Sequence, residues 1–450
     1  MQTIAETAPR IKALTVSPVD LTRECLARAA AGRELNIFTA LREREAVEEA
    51  EEAAREIRKG AYRGPLHGIP VAIKDLVDVR GMPTTSGSAL PAPVARADAP
   101  TVLRLREAGA IVIGKTNLHE FAFGTTSEDS AFGPVHNPFH MECSAGGSSS
   151  GAAVALVEGM CMGSIGTDTG GSIRIPSAAC GTVGLKGTHG EITTEGVVPL
   201  SQTCDHVGPM ALSVEDVRIM FDALRGTPPR TALPKSGPLV FGVPTGYFLE
   251  RLDVEVRKDL ERVKASLRSS HHRVVDVEIE LSESTPDIYL HIVLPEATWY
   301  HAPLLAAHPN AYSPAVRLRL EMGGYVLAED YCRAMHMRAR LSAAVDRAVS
   351  GVDALLLPAL PIPAPPLGAP TVDINGRPEP VRNVMLRLTQ TFNLSGHPAI
   401  ALPAGRSISG LPLGMQLVGR RNETDQLIAV AAAVEPQITA GPGSVGGGTG

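Results

Sequence analysis

Two serine clusters framed by glycine lie close together in the chain: Gly146-Gly-Ser-Ser-Ser-Gly151 and Gly166-Thr-Asp-Thr-Gly-Gly-Ser-Ile-Arg174. A serine hydroxyl attacks a carbonyl once a base removes its proton. The run Thr169, Gly170, Gly171, Ser172 strings together backbone amides that could hold the resulting oxyanion. Glycine also lets the backbone come close to a ligand at conformations other residues avoid. Glycine- and serine-rich loops are usually plain turns, but two clusters threaded with Asp168 and Arg174 are more than a turn requires. No His-Asp pair stands near Ser172, so the base has to come from elsewhere. Lys74, inside Ile69-Pro-Val-Ala-Ile-Lys-Asp75, is the candidate. Among apolar neighbours an ammonium is disfavoured, and a lysine pulled down from about 10.4 can accept a proton. The plain alternative is a strand-end lysine that snorkels to water.

Two rival motifs overlap these residues. Gly147-Ser-Ser-Ser-Gly151 fits the nucleophile elbow, with Ser149 as the attacking residue. That elbow follows a buried strand, whereas the residues before it, 136–144, are polar and broken by proline. Val71-Ala-Ile-Lys74 matches the lysine strand of protein kinases, but the glycine-rich loop and the His-Arg-Asp and Asp-Phe-Gly sequences are missing.

The elements that must position these groups can be read in outline. Ala152 to Val157 holds helix formers with Gly159 as a stop, placing the first cluster at a helix N-terminus with its free N–H groups. Residues 1–60 read as helices, one of them capped by Asn36, and Thr101 to Ala108 as another. Short apolar runs at 69–75, 110–114, 183–185, 239–243, 353–357, 399–402 and 414–418 read as buried strands, and Lys115-Thr-Asn117 as the start of a loop or helix. Ser213 opens a helix with Glu215 and Asp216 in its first turn. A proline-rich stretch at 227–238 marks a boundary, 245–350 is mainly helical, and 436–450 reads as a flexible glycine-rich tail. Helices alternating with apolar strands predict an α/β fold: one α/β/α domain over 1–435, with a large mixed, mostly parallel sheet covered by helices on both faces.

Composition narrows the function classes. Of 450 residues 44% are hydrophobic and 20% charged, with a formal net charge of −6, which gives no electrostatic case for nucleic-acid binding. Six scattered cysteines and histidines without ligand spacing point to no metal, no cofactor and reduced thiols in a cytoplasmic protein. No signal-peptide pattern and no long apolar span is present, so no membrane association is expected.

At the two serine clusters the sequence resembles the amidase signature family of serine amide hydrolases. The resemblance extends to Gly68-Ile-Pro-Val-Ala-Ile-Lys-Asp75, Gly114-Lys-Thr-Asn117, Cys180-Gly-Thr-Val-Gly-Leu-Lys186 and Gly410-Leu-Pro-Leu-Gly-Met-Gln-Leu-Val-Gly419. It departs at Gly187-Thr188, where the family usually has proline before the threonine, and little of 230–350 is recognisable. The resemblance implies Ser172 as nucleophile, Ser148 as proton relay behind a cis peptide bond, and Lys74 as neutral base. It further implies an oxyanion hole from Thr169, Gly170, Gly171 and Ser172. Asp168 and Arg174 read as a structural pair, with Ser149 in the same polar network. Phe121, Gly124 and Thr125 lie in a stretch similar to one lining the family's substrate site. The expected substrate is a small amide, with aryl amides, carbamates or esters in range, and 245–350 (Trp299 and Tyr300 included) sets specificity. A homodimer is compatible with this reading. A glutamine-hydrolysing subunit of a tRNA-dependent amidotransferase, with Arg319 as its carboxylate ligand, and a non-catalytic binding protein are the alternatives.

Overall fold

The computed structural model describes residues 2–227 and 237–439. Most of the expected boundary at 227–238, and residues 440–450 of the expected tail, lie outside the described residues. Eleven strands form the main sheet. They are β1 Phe38–Leu41, β2 Pro70–Lys74, β3 Ile111–Thr116, β4 Gly163–Thr167, β5 Val183–Lys186 and β6 Val207–Ala211. The remainder are β7 Val240–Pro244, β8 Arg273–Val277, β9 Ala354–Pro358, β10 Ala399–Arg406 and β11 Pro412–Val418. Their spatial order is β1-β3-β2-β4-β6-β5-β10-β11-β9-β7-β8.

The sheet is mixed, and connection length explains its pattern. β2 reaches β3 through the helix Pro100–Glu107, and β7 reaches β8 through the helix Val254–Ser269; both pairs are parallel, as helical crossovers require. β2 also runs parallel to β4, and β9 to β7. The middle of the sheet differs from the mostly parallel expectation. From β4 through β6, β5, β10 and β11 to β9 every pairing is antiparallel. There β10 and β11 are joined by a turn too short for a crossover, so they can only pair antiparallel.

Side chains alternate between two cores, one on each face. Val71 and Ile73 enter one, with Leu185, Val217 and Leu260; Ala72 enters the other, with Ala153, Val154 and Ile175. By the two-residue strand period Lys74 lies on the face of Ala72, where the helices Ser150–Val157 and Arg174–Cys180 pack. Both faces are thus covered by helices, as expected.

Some local expectations change. Asn36 does not cap a helix: it sits in the left-handed region (φ 54°) after a 3₁₀ turn, and β1 intervenes before the helix Glu43–Arg58. Lys115 and Thr116 belong to a strand because β1 and β2 pair with them on both sides. The mainly helical 245–350 region also supplies the edge strand β8. The last helix, Thr424–Thr439, passes the expected boundary at 435, since Ile438 is buried in the core. Ser213 does cap its helix, accepting from the Asp216 N–H at 3.1 Å. Among the described residues no helix is long and apolar enough to cross a membrane.

Candidate active site

Lys74 ends β2 and is fully buried. Its Nζ is hydrogen-bonded to three hydroxyls: Ser148 Oγ at 2.8 Å, Ser149 Oγ at 2.9 Å and Thr167 Oγ1 at 2.8 Å. Among the described residues no carboxylate pairs with it. Burial therefore brings its pKa down to about 7, against the pull of the Asp168 and Asp205 charges. The snorkelling alternative fails, because the strand ends inside the protein. Lys115, one strand away, shows the contrast: its Nζ lies 2.8 Å from Asp75 Oδ1, so the next residue along β2 serves a different lysine.

The first serine cluster leads into the helix Ser150–Val157, and the peptide bond between Gly147 and Ser148 is cis. Ser149 Oγ accepts from Lys74 and from the Thr167 N–H at 3.3 Å, and donates to the Thr167 carbonyl at 3.2 Å. Its proton is thus held by a carbonyl. Ser148 Oγ is bonded only to Lys74 among the described residues. The Ser149 N–H donates to the Ser172 carbonyl at 3.1 Å and so ties the two clusters together.

In the second cluster Ser172 is 5% exposed, whereas Lys74, Ser148 and Ser149 are completely enclosed, so Ser172 is the least enclosed residue of the set. The backbone N–H groups of Thr169, Gly170, Gly171 and Ser172 donate to no acceptor among the described residues. Buried amides are normally paired, so this row marks a place where an acceptor atom can enter. Gly171 has φ 138°, and a Cβ there would lie 2.8 Å from Ile175 Cδ1 and from Thr389 Cβ. Gly171→Ala is therefore expected to lower stability by about 1–3 kcal/mol. Denaturant midpoints would measure this, and an unchanged midpoint would show that Thr389 yields freely.

The loop carrying these amides is anchored by a buried ion pair. Arg174 Nε and Nη2 reach Asp168 Oδ2 and Oδ1, both at 3.0 Å, while Asp168 Oδ2 also accepts from the Ile173 N–H at 3.1 Å. Asn393 bonds Asp168 Oδ1 at 2.8 Å, and Arg174 also reaches Asn393 and, at 3.0 Å, Gln416. Burial works against the Asp168 carboxylate, yet the charge and hydrogen bonds of Arg174 hold it well below the usual carboxylate range. Beside it, burial pushes the Asp205 carboxyl up to about 6, despite hydrogen bonds from Thr169, Ser201 and Leu200. Thr389 Oγ1 donates to the Gly170 carbonyl at 2.5 Å and fixes the middle of the loop.

The sequence-predicted residues come together unevenly. Lys74, Ser148 and Ser149 form one hydrogen-bonded cluster joined to the Thr169–Ser172 loop, with Asp168 and Arg174 behind it. Thr125 backs onto Gly147, where an added Cβ would meet its carbonyl carbon at 2.8 Å. Gly124 instead packs on the His119 ring, and Phe121 lies edge-on to His301, 4.4 Å between centroids. Trp299 is 69% exposed on the outer side of the helix Thr285–Ala307. The same helix turns Tyr289 inward: a Cβ on Gly170 would lie 2.5 Å from its hydroxyl oxygen. Sequence reasoning missed Thr167, Asp205, Tyr289, Thr389 and Asn393. Thr167 stood inside the second serine cluster without a role, whereas the other four come from segments outside the two clusters.

A sequence profile described as Amidase matches residues 20–428. The chain belongs to the amidase family. It is 34% identical to an amidase of Pseudomonas putida, over 97% of this chain and 96% of that protein. It is also 34% identical to a glutamyl-tRNA(Gln) amidotransferase subunit of Geobacter metallireducens, over 97% of each. A crystal structure of an amidase, 39% identical, superposes with a TM-score of 0.93 over 97% of this chain and 100% of its own. The amidase family reading, with amide hydrolysis as its general chemistry, therefore rests on the whole chain. Relatives named amidase and relatives named amidotransferase subunit match it about equally.

Proposed function

We propose that this protein is a stand-alone serine amidase that hydrolyses the C–N bond of small linear amides, with aryl amides, carbamates and esters in its range. The observation that carries this reading is the Lys74–Ser148 hydrogen bond of 2.8 Å beside Ser172 and a row of amides with no acceptor among the described residues. Neutral Lys74 takes the Ser148 proton as Ser148 takes that of Ser172. Ser172 Oγ then bonds to the carbonyl carbon, and the carbonyl oxygen becomes an oxyanion held by N–H groups of Thr169 to Ser172. The C–N bond breaks as the Lys74 ammonium returns its proton through Ser148 to the leaving nitrogen. Water then cleaves the acyl-Ser172 ester along the same proton path and releases a carboxylic acid.

Asp168, Arg174 and Ser149 act here as supports, and Thr125 is the most direct substrate contact of the 121–125 stretch. Residues 245–350 shape the pocket wall within one domain, through Tyr289 rather than Trp299. No metal or cofactor takes part in these steps.

An acyl or phosphonyl serine probe is expected to label Ser172, with peptide mass spectrometry locating the adduct. Labelling of Ser149 would restore the elbow alternative, and no labelling with no turnover would favour a binding protein. The amidotransferase reading is supported by the 34% identity to a subunit of such a complex. Turnover of a simple aryl amide by the purified chain alone distinguishes the two, since the amidotransferase reading requires partners.

A further inference from the structure

Three described arginines have an enclosed Nε without a hydrogen-bond partner: Arg106, Arg225 and Arg382. Arg106 still pairs with Glu49 and Asp98, and Arg225 with Asp222 and Asp425. Among the described residues Arg382 alone of these has neither a carboxylate nor any hydrogen bond. A guanidinium with its Nε enclosed and no counter-ion among the described residues is costly to keep. Groups that cost stability tend to be retained where function needs them.

Its position points to that function. Arg382 lies in the short helix Val381–Leu386, one turn before Leu386. Leu386 faces Gly170: an added Cβ there would lie 3.1 Å from Leu386 Cδ2 and 2.5 Å from the Tyr289 hydroxyl. Residues four apart share a helix face, about 6 Å apart along the axis. Arg382 therefore stands roughly one turn from the unpaired amides. Its charge acts on Tyr289, whose phenol burial raises well above its ordinary value, so Tyr289 stays neutral and supplies no counter-charge. A second cation is near. Arg319 donates to the Phe123 carbonyl at 2.7 Å, and its pKa falls to about 10 through burial first and the Arg382 charge next. The acid that acts on Arg319, Asp129, also lies 3.3 Å from His119 Nε2 and forms no ion pair with Arg319 among the described residues. The Arg382 charge thus disfavours the Arg319 guanidinium, and among the described residues neither arginine forms an ion pair with a carboxylate.

We infer that Arg382 is the anion-binding residue of the substrate site, so that the preferred amide carries a carboxylate a short chain away from its scissile carbonyl. This deepens the amidase reading and rests on it. A carboxylate matches a guanidinium fork geometrically, and its charge relieves the repulsion between Arg382 and Arg319. The carboxylate can sit on either side of the scissile bond, and the probes separate the two cases.

The test compares kcat/KM for succinamate and glutaramate with their neutral counterparts butanamide and pentanamide, and for N-acetylglycine with N-ethylacetamide, in wild type, Arg382→Met and Arg382→Lys. Wild type is expected to prefer the anionic member of at least one pair by about tenfold or more, roughly the size of one charge-assisted pair. Arg382→Met should bring that ratio towards one, mainly through KM, while Arg382→Lys keeps part of it. Because Arg382 has no partner to lose among the described residues, Arg382→Met should hold or raise the melting temperature. Equal rates within every pair in wild type, or a preference that survives Arg382→Met, would overturn the inference. So would a clear fall in melting temperature with the ratio intact, which would make Arg382 structural. If neutral amides are hydrolysed and Ser172 takes the serine probe while the anionic preference is missing, the amidase reading stands and this inference alone fails.

Discussion

Lys74→Arg is expected to lower turnover of a small amide by about 10³-fold or more, as far as Lys74→Ala does, although it keeps the positive charge. The reason lies in the protonation state. A base must be neutral, and Lys74 becomes neutral inside the protein because burial lowers its pKa to about 7. Activity should therefore rise as pH increases through about 7 and hold above it. Arginine is not deprotonated in proteins, so it cannot take the Ser148 proton at any working pH. Lys74→Met separates catalysis from folding. It removes a buried amine whose partners among the described residues are the hydroxyls of Ser148, Ser149 and Thr167, so stability should change little while activity is lost. Near-wild-type turnover in the arginine variant, or a rising limb that survives it, would rule out Lys74 as base.

The largest stability effect is expected at Asp168→Asn. The substitution keeps the shape but leaves the fully buried Arg174 without its counter-charge, and breaking such a pair costs about 3–5 kcal/mol. It also turns an amide group towards the Ile173 N–H and Arg174 Nε, which need an acceptor. Urea or guanidinium midpoints would measure the loss, and a change below about 1 kcal/mol would show that Asn393 and Gln416 suffice to hold Arg174. The pH dependence has a defined sign. Asp168 has a depressed pKa in the folded state, so its contribution is fully present above the unfolded value of about 3.9. That contribution is lost as pH falls below that value towards the folded one. The asparagine variant should therefore lose less stability on acidification than wild type.

Much of the site was legible before any coordinates. The serine clusters, the lysine in an apolar run and the Asp168–Arg174 spacing are local patterns, and local patterns survive in a string of letters. So are the helix Ser150–Val157 and the cap at Ser213, both set by residues within one or two turns. Strand direction was less legible. Apolar strands read alike whichever way they pair, and the antiparallel centre follows from which connections carry a helix. Asn36 misled for a related reason. Its side chain suits a helix cap, but neighbouring β3 draws the residues after it into β1.

Sequence alone thus determined the chemistry available: hydroxyls, a lysine among apolar neighbours, a glycine-framed row of amides, and the family they belong to. Tertiary structure decided what each group faces. Among the described residues Lys74 meets hydroxyls and no carboxylate because β2 ends beside the helix Ser150–Val157, and that burial lowers its pKa. Thr167, Tyr289 and the pair Thr389 and Asn393 enter the site from three separate segments, and the same packing leaves Arg382 without a partner among the described residues. Electrostatic environment and long-range contact depend on distances through space, and those exist only once the chain has folded.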